Sequence, residues 1–310
     1  GDKVYDNACG MGILTGIATA ATGATAYIQD VYFQSAAVAR ILMLMIGKPE
    51  SVVSVGDSML DPSIGGYNGP FDKFLIDAPF GIRTTQFKEL PGYAEGHKAS
   101  SGLTFDSEWA NDQWVFVRQA FKVLSEHGSG AALVPLAMLN RDGRQYRDTR
   151  AEMVDHGLIS AVIELPTGSR SFTGIKYAIV LFDRNKDRED VYFLDLSAKG
   201  AEQYLMRNNG KLELRWGDSE KVADVVRSRE EIEGTSRIVS IAEISKNDYR
   251  LSIGNYIQVT TNREEALREG AAAWDRREEL KKEYLVADKE LEELLNSYNA
   301  YLNHKAEEDN

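Results

Sequence analysis

Short apolar runs alternate with longer helical stretches through much of this 310-residue chain. "KVYDNACGMG" reads as a strand, a turn and a helix start, and "GILTGIATAATG" is small and helical. "ATAYIQD" is a second strand ending on an acid. "SAAVARILMLMIG" is a strongly apolar helix with Gly47 as its stop. "SVVSVGDSM" and "FDKFLIDAPFG" supply a third and a fourth strand. Strands and helices alternating over short connections predict an α/β fold with a mostly parallel sheet covered on both faces. Ligands in such sheets sit at the carboxyl ends of the strands.

Residues 81–106 interrupt the alternation with a long polar stretch. Loops of that length in compact domains usually serve as lids or binding loops. "DSEWANDQWVFVRQAFKVLSEHG" then predicts a helix, "GAALVPL" a strand and "YRDTRAEMVDHG" a helix. "LISAVIELP", "KYAIVLFDR" and "DVYFLDLS" are strands, and strand signals stop near residue 197. The organisation read from this is a sheet domain over 1–197, a mixed polar extension over 198–258 and a charged helical segment over 259–310. In that last segment Leu280, Tyr284, Ala287, Leu291, Leu294, Tyr298 and Tyr301 recur at spacings of three and four. They form a heptad seam suited to packing on other helices, with a partner chain expected because its neighbours are charged.

Composition narrows the function. The chain is 43% hydrophobic, enough for a sizeable core, yet its net charge is −12. Proteins that grip nucleic acid by themselves neutralise phosphates with a basic surface. Either nucleic acid is not the substrate, or another chain supplies the positive surface. The single cysteine, Cys9, excludes an internal disulfide and a cysteine metal site. His97, His127, His156 and His304 lack ligand spacing, so no metal centre is expected. No apolar run reaches membrane-spanning length and no leader is visible, which predicts a soluble cytoplasmic protein.

Candidate chemistry gathers at the strand ends. Ala8, Gly10 and Gly12 follow Asp6 in a turn that brings backbone close to a ligand or simply joins strand to helix. "GMGILTG" misses the G-x-G-x-x-G spacing by one residue. Asp30 ends the second strand, where an acid accepts ribose hydroxyls. Asp57 ends the third, where it accepts from an adenine amino group or caps a turn. "IDAPFG" ends the fourth. A dinucleotide oxidoreductase has no need of it, whereas transfer of a methyl group to an exocyclic amine does. The amine lone pair is delocalised into the base ring. A side-chain acceptor, Asp77, and a backbone carbonyl, Ala78, bind its two N–H groups and turn the lone pair towards a methyl donor. Pro79 stiffens the turn. Phe80 offers a stacking face worth roughly 1–3 kcal/mol against the few kcal/mol of base extrusion.

"VYDNACGMG", "YIQD", "GDSM" and "IDAPFG", in that order, resemble the modification subunits of type I restriction systems. "HGSGAALVPLAMLNRDG", "LISAVIELPTGSRSFTGIKYAIVLFDR" and "EISKNDYRLSIGNYI" extend the resemblance over most of residues 3–258. It implies a Rossmann-like, S-adenosylmethionine-dependent adenine-N6 DNA methyltransferase with a C-terminal helical extension. It also implies duplex DNA reached through a specificity subunit, a restriction subunit as further partner, and a hetero-oligomer formed through the C-terminal helices. Asp6, Ala8, Gly10, Gly12, Asp30 and Asp57 would then hold the cofactor, and Asp77, Ala78, Pro79 and Phe80 the flipped adenine. The departures are specific. The family usually has proline at the position of Asn7, a small hydroxyl residue at Met11 and Asn-Pro-Pro-Phe where this chain has Asp77-Ala78-Pro79-Phe80. It also carries a helical domain before the first strand, whereas this chain opens almost at that strand. A shortened chain with weaker cofactor binding is expected. A catalytically degenerate assembly subunit is the alternative.

Overall fold

The computed structural model describes residues 1–61, 64–79, 113–170, 173–184, 188–198, 201, 204–208, 211–214, 219–257 and 263–308. Phe80, the 81–106 stretch and Trp109 therefore lie outside the described residues, as does the Tyr301 side chain.

The chain starts with β1 (Lys3–Asp6), α1 (Ile13–Thr22), β2 (Thr25–Asp30), α2 (Phe33–Met45), β3 (Val52–Val55) and β4 (Phe71–Ile76). Glycines stop both helices. Gly23 and Gly47 take φ of 77° and 75°, a left-handed conformation that costs glycine nothing sterically. After α3 (Trp114–Val123) come β5 (Leu124–Pro135), α4 (Leu136–Asn140), α5 (Arg144–Asp155), β6 (Ile159–Glu164), β7 (Tyr177–Asp183) and β8 (Asp190–Asp195). The remainder holds a β9–β10 hairpin (Leu205–Asn208, Lys211–Leu214), α6 (Ser219–Ser228), β11 (Ser236–Ser240), α7 (Ile241–Lys246) and α8 (Arg263–Glu308).

Nine strands form one sheet in the order β11-β8-β6-β7-β5-β4-β1-β2-β3. β3, β2, β1, β4 and β5 run parallel, as do β6 and β8, while β7 and β11 are antiparallel to their neighbours. The sheet is thus mostly parallel, as the alternation of strands and helices predicts. β1 leads rightward to β2 and β3, and the chain then returns to β4 on its other side. A crevice opens at that switch of direction, outside the carboxyl ends of β1 and β4. The main core sits under β4, β5, β7 and α3, with Trp114, Phe71, Phe74, Phe121 and Phe182 almost wholly buried.

Two expectations are corrected. The helix predicted to reach Gly128 ends at Val123, and Leu124–Gly128 belong to β5. Pairing with β4 overrides the helical pattern there. The Phe74 ring lies across β5 so closely that a Cβ on Gly130 would sit 2.4 Å from it. Strand structure also continues past residue 197. β11 pairs with β8, and Leu251, Ile253, Tyr256 and Ile257 join the main core. The buried Arg150 guanidinium donates to the carbonyls of Tyr249 and Arg141 at 2.8 and 3.0 Å and so ties this later segment to α5. The chain divides into two compact units, Gly1–Val259 and Thr260–Asn310. In the second, the 46-residue α8 leaves Leu280, Tyr284, Leu291, Leu294 and Tyr298 exposed. Among the described residues no helix is long and apolar enough to cross a membrane.

Candidate functional site

The turn after β1 is built by three different constraints. Gly10 has φ of 53° and, among the described residues, nothing within 4 Å of where a Cβ would stand. Gly12 has φ of 75°, but a Cβ there would lie 2.9 Å from Ala39 Cβ. Gly12 therefore serves the close packing of α1 on α2, whereas no described atom crowds Gly10. Cys9 is a small buried residue behind the turn, its thiol pushed well up by burial. Its backbone N–H donates to Gln29 O at 3.0 Å, joining the turn to β2.

The acids at the strand ends are braced by backbone. Asp6 is buried, with Oδ2 accepting from the Thr15 hydroxyl at 2.7 Å and Oδ1 from the Ala8 N–H at 3.1 Å. Asp30 Oδ2 accepts from Gly10 N–H at 2.8 Å and Oδ1 from Tyr32 N–H at 2.9 Å. Asp57 Oδ1 accepts from Met59 N–H at 2.9 Å, capping the turn after β3. That turn is anchored to the first by Ser58, whose hydroxyl donates to Asn7 O at 2.7 Å, and to β2 by the Gly56 N–H to Asp30 O bond at 3.0 Å. Asn7 in turn donates to Phe116 O at 3.0 Å, while its own Oδ1 is buried with no hydrogen-bond partner among the described residues.

Across the crevice, Asp77 follows β4 and is engaged by Arg170. The guanidinium donates from Nη1 to Oδ1 at 2.8 Å and from Nη2 to Oδ2 at 2.9 Å. Ala78 is buried, and its carbonyl accepts from Gln113 Nε2 at 3.3 Å. Pro79 is exposed.

One electrostatic feature unites these positions. Burial first, and then the charges of Asp77 and Asp30, push the Asp6 carboxyl up to about 7, against the pull of its Thr15 and Ala8 hydrogen bonds. Asp6 and Asp30 thus brace the backbone from Ala8 to Gly10, while Asp77, at the end of the neighbouring β4, is paired with Arg170. A cation with hydroxyl and amino donors fits that donor set, and a phosphate does not. S-adenosylmethionine, with its sulfonium and ribose, has that chemistry. Among the described residues no group of three or more His, Cys, Asp or Glu side chains is placed to hold a metal ion.

Thr15, Gln113 and Arg170 were not singled out from the sequence. A hydroxyl in the first turn of a helix that follows an acid-glycine turn is a usable signal for Thr15. Gln113 and Arg170 lie 35 and 93 residues from their partners, and no spacing marks them.

The chain is similar to known proteins in sequence and in fold. Residues 1–265 match the profile of the family described as N-6 DNA Methylase. The type I restriction enzyme MjaVII methylase subunit of Methanocaldococcus jannaschii is 25% identical over 97% of this chain and 52% of its own length. The MpnII methylase subunit of Mycoplasma pneumoniae is 28% identical over 48% of this chain and 27% of its own length. The chain spans about half, or less, of these curated relatives. A crystal structure of a type I restriction-modification methyltransferase subunit from Streptococcus thermophilus superposes with a TM-score of 0.73 at 22% identity. That match covers 83% of this chain and 55% of that one.

Proposed function

We propose that this chain, which belongs to the N-6 DNA methylase family, transfers a methyl group from S-adenosylmethionine to adenine N6 in duplex DNA as the modification subunit of a type I restriction-modification system. The observation that carries this reading is the placement of Asp6 and Asp30 around the Ala8–Gly10 backbone after β1 and of Asp77 at the end of the neighbouring β4, at the β1/β4 switch of the sheet.

Asp30 would hold the ribose and Asp57 the adenine amino group of the cofactor, beside the backbone of Ala8 and Gly10. Asp6 keeps that backbone in place through Ala8 and Thr15. S-adenosylmethionine supplies an already activated methyl group, so the protein's work is mostly positioning. Asp77 accepts an N–H of the target amine and turns its lone pair into the crevice. The Ala78 carbonyl is assigned the second N–H; a carbonyl has two lone pairs, and Gln113 takes one. Phe80 would stack on the flipped base.

A net charge of −12 repels duplex DNA at long range. Sequence reading therefore falls to a specificity subunit, with the exposed seam of α8 as the contact and the restriction subunit as further partner. The cytoplasm, where the DNA lies, is the expected compartment. The isolated chain should bind duplex at or beyond the weak end of non-specific affinities, about 10⁻⁴–10⁻⁶ M at physiological salt.

A second reading, an assembly subunit with a degenerate methyltransferase fold, is favoured by one fact. Both carboxylate oxygens of Asp30 and of Asp77 are already paired within the chain. Calorimetry with S-adenosylmethionine on the full-length subunit separates the two. Binding, followed by N6-methyladenine in duplex treated with the reconstituted complex, supports the enzyme; no binding supports the assembly subunit.

A further inference from the structure

Asp77 is about one-third exposed, yet its carboxylate is gripped from 93 residues away by a two-toothed guanidinium. Arg170 is itself seated. Its guanidinium lies 5.1 Å from the centroid of the Tyr177 ring, a contact suited to cation–π attraction. Tyr177 is the buried first residue of β7 and pairs with Pro135 at the end of β5, the strand beside β4. The ring is therefore part of the same rigid sheet edge as Asp77.

The segment that presents Arg170 is built to hold it. Gly168 takes φ of 85°, and the Ser169 N–H and hydroxyl both donate to Pro166 O, at 3.2 and 2.5 Å. The root of the β6–β7 connection is tied by Leu165 N–H to Tyr177 O at 2.9 Å and by the Lys176–Glu164 ion pair at 2.9 Å. Half-exposed ion pairs contribute little to stability, so a fork seated on a buried ring at a strand end calls for another explanation.

A carboxylate offers about four lone-pair sites, and a bidentate guanidinium takes two of them. The other two stay available to an amine N–H. The paired guanidinium also cancels the acceptor's charge, which would otherwise repel the incoming polyanion. We propose that Arg170 is the positioning residue of the methyl-acceptor site. It fixes the Asp77 carboxylate so that the remaining lone pairs face the exocyclic amine, and it neutralises that carboxylate where DNA arrives. This rests on the adenine-N6 reading given above.

The test is single-turnover methylation of a cognate duplex by the full-length subunit reconstituted with its specificity subunit. Arg170→Gln should lower the rate at saturating DNA by about tenfold to a hundredfold, the scale of a small misplacement of a reacting group. Its affinity for S-adenosylmethionine and its thermal midpoint should stay at wild-type values, and its KM for DNA should rise by a smaller factor than the rate falls, because the Asp77 charge is then unpaired. Arg170→Lys, which keeps the charge and loses the fork, should recover part of the rate. In an Asp77→Asn background the acceptor is a neutral amide, and adding Arg170→Gln should cost less than about twofold, a non-additivity expected only of directly coupled residues. Equal losses in both backgrounds, or a loss confined to KM for DNA, would make Arg170 a DNA contact and overturn the proposal. An unaltered rate in Arg170→Gln overturns it while leaving the methyltransferase reading intact. Absence of methylation by the wild-type complex overturns both.

Discussion

The turns after β1 and β4 face each other across one crevice and are held by opposite means. The turn after β1 is fastened by short-range bonds: Asp6 to Ala8 and Thr15, Asp30 to Gly10 and Tyr32. The turn after β4 is fastened by partners brought from elsewhere in the chain, Gln113 on Ala78 and Arg170 on Asp77. The carboxylate braces of the first lie within the β1–α1–β2 unit, and Ser58 and Phe116 add longer-range ties to it at Asn7. The second exists only when the β6–β7 connection is in place. A substitution on the cofactor side should therefore change local backbone and binding together. One on the acceptor side should change chemistry while the cofactor side stands.

The sharpest test of that contrast is Asp77→Ala. Removing the amine acceptor should lower methyl transfer by about a hundredfold to a thousandfold, as loss of one oriented transition-state contact does, with S-adenosylmethionine binding unaltered by calorimetry. Retained activity would remove Asp77 from the mechanism. On the other side, Asp30→Ala deletes the acceptor of two backbone N–H groups and, on the proposed reading, of the ribose. Cofactor affinity should fall about tenfold to a hundredfold, the range for one charge-assisted hydrogen bond, and the thermal midpoint should fall with it. Weakened binding at an unaltered midpoint would show that the turn does not need this brace.

Asp6 gives the contrast a pH signature. Its folded carboxyl titrates at about 7, well above an unfolded aspartate. The folded state thus binds a proton more tightly than the unfolded chain. Its stability relative to an Asp6→Asn variant should be greatest at low pH and decline as pH rises from about 4 to about 7, by a few kcal/mol at most. Urea unfolding of both proteins at pH 5 and pH 8 checks the sign; a stability difference that grows with pH would mean Asp6 is ionised in the native turn. The smallest effect on stability belongs to α8. Changing Leu291 and Leu294 to Asp should shift the unfolding free energy of the sheet unit by no more than about 0.5 kcal/mol. The same variant should lose co-purification with a specificity subunit. Intact co-purification would place that contact elsewhere.

The sequence by itself determined the β1–α1–β2–α2–β3 alternation, the stop at Gly47, and the placement of Asp6, Asp30, Asp57 and Asp77 at strand ends. Each of these is a property of one element and its immediate turn, so period and punctuation report it. Tertiary structure alone decided what lies beside what. It drew Leu124–Gly128 out of a helical pattern into β5 and set β7 between β5 and β6. It added β11 from a stretch with no clear strand signal. It also separated the two glycines of one turn, giving Gly12 to the packing of Ala39 and leaving Gly10 uncrowded by any described atom. Above all it delivered Arg170 to Asp77 and Gln113 to Ala78. Hydrophobic period encodes which face of an element is buried, but not which distant element will cover it. A hydrogen bond closed across 93 residues leaves no spacing to read, because it forms only after the sheet has brought the two strand ends to one edge.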